Sequence, residues 1–251
     1  MTNPTTIATR SANPHAASID VDASGYEIFS AGDQGAAHVF AHHMVDTDQY
    51  EPGRQLLGGW LDGHTGSGSQ WVHLQFHMAV FELATGHWED AHRRYLEHVL
   101  PTAENSEDAL TDAPALLWRL ALSAPEGTEL VWGPLRRNAL ERMHRPGDPF
   151  TELHNLLALA GAGDLESLDT YMNTRTADSL RMRLVFKVAT ALSAYVKGHY
   201  RLAANLLWRL LPRIPEIGGS WAQIQLFEQL VTASLRKASA GGQPSWHAQA
   251  A

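Results

Sequence analysis

The chain has 251 residues, 44% of them hydrophobic and 18% charged, with a formal net charge of −8 and no cysteine. That content can bury a core and excludes a disordered chain, the acidic balance argues against nucleic acid as a partner, and the missing cysteine removes disulfides, thiolate metal sites and a cysteine nucleophile. No apolar run approaches the roughly 20 residues that span a bilayer, and the first residues lack the apolar segment of a signal peptide, so the sequence predicts a soluble, cytoplasmic protein with no membrane contact.

Residues 1–30 are rich in Thr, Ser, Asn, Pro and Ala without a helical period. They predict a mobile N-terminal arm, with one short extended segment from Ser18 to Phe29. Residues 31–237 read as a single helical-repeat domain, and 238–251 as a disordered tail. Within the domain, Gln70 to Thr85 places Trp71, Leu74, Met78 and Phe81 on one broad stripe. Helical periods follow over 87–98, 114–124, 130–143, 149–161, 164–174, 178–197, 199–212 and 219–236, and strand patterns are almost missing. Breakers separate them: Gly86, the acidic stretch 101–112, Pro125–Gly127, Pro146–Pro149, Gly161–Gly163, Gly198 and Pro212–Gly219. Links this short make antiparallel neighbours. The Gly-rich stretch at 63–69 lacks the Lys-Ser/Thr of a phosphate-binding loop and reads as a linker.

A repeat runs through these helices. It reads Gly, then an aromatic or Leu two residues on, a small residue or Leu three further, and a large apolar residue four further. The copies are Gly86-Trp88-Ala91-Tyr95 and Gly198-Tyr200-Ala203-Leu207, with degenerate ones at Gly163-Leu165-Leu168-Met172 and Asp48-Tyr50-Gly53-Leu57. This is the second half of a tetratricopeptide-type unit. The predicted fold class is therefore all-α: tetratricopeptide-like helical hairpins in a short, irregular α-solenoid or curved bundle.

The 14 histidines are unusually many. Two pairs sit four apart, His38/His42 and His73/His77, so each pair shares a helix face. Two such helices can converge on one metal ion or one polar substrate, whereas His43 points about 100° away around the helix. Position 74 is Leu, so the HExxH zinc-protease pattern is absent. By spacing alone, satisfied or solvent-facing histidines explain the pairs better than a shared pocket does. Asp112 precedes an apolar helix and suits an N-cap. His154, among leucines, suits a core histidine bonded to a carbonyl. The tryptophans suit core and turn packing.

The ordered series HVFAHH, WVHLQFHMAVFELATGHWEDA, TDAPALLWRLAL, TELHNLLALAGAGDL, AYVKGHYRLAANLL and IGGSWAQIQLFEQLV, over about residues 36 to 236, resembles the tetratricopeptide repeat protein 38 family. The resemblance implies a shared polar pocket with catalytic candidates His38, His42, His73, His77, Asp112 and His154. Its motifs also carry the binding candidates Trp71, Trp118, Arg119, Trp221 and Gln223. The departures from the family pattern are Val45 in place of an acid, Trp221 in place of a His, and Ile224-Gln225 in place of Arg-Asp.

Two functions follow as expectations. The first is a small-molecule enzyme with a His/Asp-lined pocket. It would either hold one divalent metal ion (Zn, Fe or Mn) on His38, His42, His73 and His77, or use the imidazoles as general acid and base. Asp112 would orient one imidazole if it reaches one, and Trp71 and Trp221 would wall an apolar pocket. His43 and Asp46 are candidates to replace the lost charged partners. The second is a non-catalytic scaffold with a concave groove for a protein or ligand. A homodimer through Leu226 and Leu230 of the last helix is open to the chain if those residues are exposed.

Overall fold

The computed structural model describes residues 33–103, 111–145 and 147–241. The expected arm at 1–30, its extended segment and the tail beyond 241 lie outside the described residues. All regular structure among the described residues is helical. In chain order the helices are α1 (Gln34–Asp46), α2 (Tyr50–Gly63), α3 (Gly68–Ala84) and α4 (Trp88–Arg94). The last of these runs on through a π-helical turn (Tyr95–Val99) into Leu100–Ala103. Then come α5 (Asp112–Ser123), α6 (Gly133–Arg142), α7 (Pro149–Gly161), α8 (Leu165–Thr174), α9 (Leu180–Val196) and α10 (Tyr200–Leu210), which tightens into a 3₁₀ turn (Leu211–Glu216). The last is α11 (Trp221–Ser239). It continues past the predicted end of the domain at 237. Among the described residues no helix is long and apolar enough to cross a membrane.

All four copies of the sequence repeat are helical hairpins closed by one device. Gly86, Gly163 and Gly198 have φ of 84, 70 and 78°, and Asp48 has φ of 58°. At each, the next residue's N–H reaches back to a carbonyl of the finished helix: His87 to Glu82, Asp164 to Leu159, His199 to Ala194 and Gln49 to Met44, at 2.8–3.0 Å. These are Schellman ends, for which a left-handed residue is required and glycine is cheapest. The small residue of the repeat then sets helix approach. A Cβ on Gly53 would lie 2.8 Å from the Phe81 ring, so α2 packs on α3 more closely than a larger residue allows without displacing that ring.

The first helices of successive hairpins, α1, α3, α5, α7 and α9, pack in that order. Each second helix packs against the first helix of its own hairpin, α5/α6 excepted, where α6 lies on α7. Then α11 departs from a simple array. It packs on α10 but also reaches α5 and α1, so the last element lies against the face that an open array would leave to a peptide. Leu226 and Leu230 are wholly buried in this contact and offer no dimer surface.

Candidate metal centre

Helix α1 begins at Asp33, whose carboxylate accepts the Gly35 N–H at 2.8 Å, and presents His38 and His42 one turn apart. Helix α3 presents His73 and His77 in the same way. Packing α1 on α3 brings the two pairs face to face. The His38 and His73 rings lie 4.9 Å apart and the His42 and His77 rings 4.5 Å apart. One nitrogen of each of the four rings lies within 4.8 Å of all the others. Within each helix the Nε2 atoms approach to 2.8 Å (His38 and His42) and 3.1 Å (His73 and His77). A tetrahedral zinc with nitrogens at 2.0–2.1 Å would set its ligand atoms about 3.3 Å apart, so the four rings need only small rotations to close on one ion.

Asp112 supplies the outer support. It stands in the first turn of α5 and is 4% exposed. The N-cap reading is wrong, because Thr111 takes that position. One Asp112 oxygen accepts His73 Nδ1–H at 2.7 Å and the other accepts the Gln223 amide from α11 at 3.2 Å. The proton on Nδ1 leaves Nε2 of His73 as a lone pair aimed at the cluster, the usual role of a carboxylate behind a metal-binding imidazole. Phe76 stacks on the His73 ring at 5.5 Å, nearly parallel. His77 is wholly buried, and its Nδ1 has no hydrogen-bond partner. His38, His42 and His73 are half-buried, so the cluster has a closed floor and an open side.

The electrostatics favour neutral rings. Burial, followed by the charge of His38 and then His73, takes His42 down to about 4. Burial and then His73 lower His38, and burial and the neighbouring imidazoles hold His77 well below its usual value. Only His73 is raised: burial pushes it down, but the charge and hydrogen bond of Asp112 outweigh that. Three of the four rings are therefore ready as lone-pair donors at neutral pH.

The other predicted residues divide. His154 is buried on α7 with Nδ1 2.8 Å from the Phe150 carbonyl, and burial takes it down to about 4. Its cavity, shared with Gln223 and Ile224, is about 10 Å³, the room of about one water, so His154 is a core histidine rather than a member of the cluster. Trp118 is also core. It is wholly buried between Trp132 and Tyr195, and its indole N–H donates to the Leu157 carbonyl at 2.8 Å. Trp71 is half-buried against Trp60, and Trp221 is half-buried in the first turn of α11. Arg119 is buried beneath α11, donating to the carbonyls of Ala115 and Ala222. His43 and Val45 are buried and Asp46 half-buried, and none belongs to the cluster. Gln225 donates to the Tyr50 hydroxyl at 2.9 Å. Sequence reasoning missed Phe76. Its only signal was its place three residues after His73, on a helix whose apolar positions were already assigned to the core.

No protein-family model matches the chain, and no solved structure matches it.

Proposed function

We propose that the protein is a metal-dependent enzyme acting on a small molecule, its ion held by His38, His42, His73 and His77. The observation that carries this reading is the convergence of four imidazole nitrogens within 4.8 Å on an open face, with Asp112 behind one of them. Four imidazoles suit zinc, ferrous iron or copper, while manganese, which prefers oxygen ligands, fits this set least. A bound ion would supply Lewis-acid polarisation of a substrate oxygen, or redox chemistry if it is iron or copper. His77 anchors the ion from the floor, Asp112 holds the His73 tautomer, and the half-buried rings face the side from which a substrate approaches.

The metal-free acid–base version is weaker. A general base works best with a pKa near the working pH, and three of the four rings are lowered, His42 to about 4. The scaffold reading is weaker too, because α11 lies against the face a peptide would use.

The test is the metal content of protein purified without an affinity tag or chelator, beside a His38→Ala/His42→Ala variant. Both residues are half-buried, so truncation spares the core. About one equivalent of zinc, iron or copper in the parent, absent from a variant of unchanged helical circular dichroism, is the expected result. No binding by the parent after incubation with each ion overturns the proposal.

A further inference from the structure

The faces that build the histidine cluster continue beyond it into a second feature. On α3, His73 and His77 are followed one and two turns later by Val80 and Ala84. On α5, Asp112 is followed two turns later by Arg119 and then Leu122. The later residues of both helices line a groove of about 450 Å³ roofed by α11, within the range of small-molecule sites. The histidines do not line it. Its walls are mixed: Val80, Leu83 and Leu122 on the apolar side, and Ser123 with the charged Glu228 and Arg236 on the polar side.

Arg119 is the unusual member. It lines the groove yet is only 3% exposed. Two of its nitrogens donate to the carbonyls of Ala115 and Ala222, and Phe76 lies under the guanidinium at 5.7 Å. Nε has no partner. No carboxylate among the described residues pairs with it. Its immediate neighbours are two neutral carbonyls and a ring face, and the Asp112 carboxylate acts on it only from beyond ion-pair distance, so the buried cation has no counter-ion in contact, which is expensive. Burial depresses its pKa to about 10, so it stays charged at neutral pH. A fold that places a charged guanidinium in the lining of a ligand-sized groove and leaves three of its five N–H groups without an acceptor has prepared a contact for an anion from outside. Glu228 shares the lining, and its charge disfavours a dianionic phosphate more than a monocarboxylate.

We infer that the groove between α3, α5 and α11 binds a small amphipathic monocarboxylate, its acid group on Arg119 and its apolar body along Val80, Leu83 and Leu122. The site is separate from the histidine cluster, and its occupancy does not depend on a metal ion there.

Octanoate, 1-octanol and octyl phosphate serve as probes, titrated calorimetrically into the full chain with and without a chelator. Octanoate should bind at least tenfold more tightly than the alcohol, more tightly than the phosphate, and equally with and without chelator. Arg119→Gln should cost octanoate about tenfold or more and leave 1-octanol unchanged. Ala233→Trp, on the half-buried roof of the groove, should abolish octanoate binding without lowering the melting temperature. If Arg119→Gln does not fold, the roof variant and the preference of the parent for octanoate still decide. Equal affinity for acid and alcohol, tighter binding of octyl phosphate, binding that survives Ala233→Trp, or no binding at millimolar octanoate overturns the inference.

Discussion

His77 and His154 are both buried imidazoles on first helices of the hairpins, and burial depresses both. They differ in where their nitrogens go. His154 gives its Nδ1 proton to the Phe150 carbonyl one turn back, which satisfies it within its own helix. His77 has no such partner on Nδ1, and its Nε2 meets His73, with two rings of α1 beside it. The contrast shows that burial and a shifted pKa do not mark a functional histidine by themselves. What separates the two is whether a ring nitrogen is spent on the local backbone or gathered with others across a helix interface.

Removing the metal should break this contrast most visibly. At a free ion concentration a hundred times the dissociation constant, binding adds about 2.7 kcal/mol, which for a domain of this size is a rise of roughly 5–10 °C in melting temperature. Scanning calorimetry with and without chelator should show that rise in the parent and in a His154→Asn variant, and not in His38→Ala/His42→Ala. A rise that disappears with His154 would put the ion at the wrong histidine.

Acid should act on His154 without any metal. Its pKa is about 4 in the fold against 6.5 for the free side chain, so the unfolded chain binds the proton first. The contribution to stability is complete above about pH 6.5 and is lost as pH falls towards 4. Its size is on the order of 3 kcal/mol. His42, lowered to about 4 by burial and then by His38, adds in the same direction, whereas His73, which is raised, opposes it. Urea unfolding of chelated protein at pH 7.5 and 4.5 should show a shallower loss in His154→Asn than in the parent. Its side-chain amide keeps a donor for the Phe150 carbonyl.

Asp112→Asn keeps the shape of the side chain but no longer selects the His73 tautomer by charge. Metal affinity should fall about 10–100-fold in competition with a chromogenic chelator. An unchanged affinity would reduce Asp112 to a link between α3 and α11. The smallest effect is expected at the start of α7. There Asp148 accepts the N–H groups of Phe150 and Thr151 at 2.9 and 3.2 Å. Asp148→Ala should cost about 1 kcal/mol in urea titration and leave metal content untouched, which keeps the two histidine environments independent.

The hairpins were readable in the sequence because their signal is local. A left-handed position, an aromatic residue and a small residue at fixed offsets describe one turn and one close helix approach, and all four copies form that turn. The two histidine pairs were readable for the same reason. Their convergence depends on how α1 packs on α3, which no spacing states. Asp112 shows the limit most clearly: an Asp before an apolar helix has the pattern of an N-cap, and only the stacking of α5 against α3 turns it to His73. The return of α11 to α5 and α1 was not legible. An amphipathic helix declares an apolar face but not which neighbours will cover it, and Leu226 and Leu230 fitted a dimer contact as well as the contact they make.

The most direct measurement is X-ray absorption at the metal edge of the loaded protein. The expected result is nitrogen ligands at about 2.0–2.1 Å, the distance of zinc to imidazole, with outer-shell scattering from about four imidazole rings that falls by half in His38→Ala/His42→Ala. An ion surrounded by oxygen, with one ring or none, would contradict it.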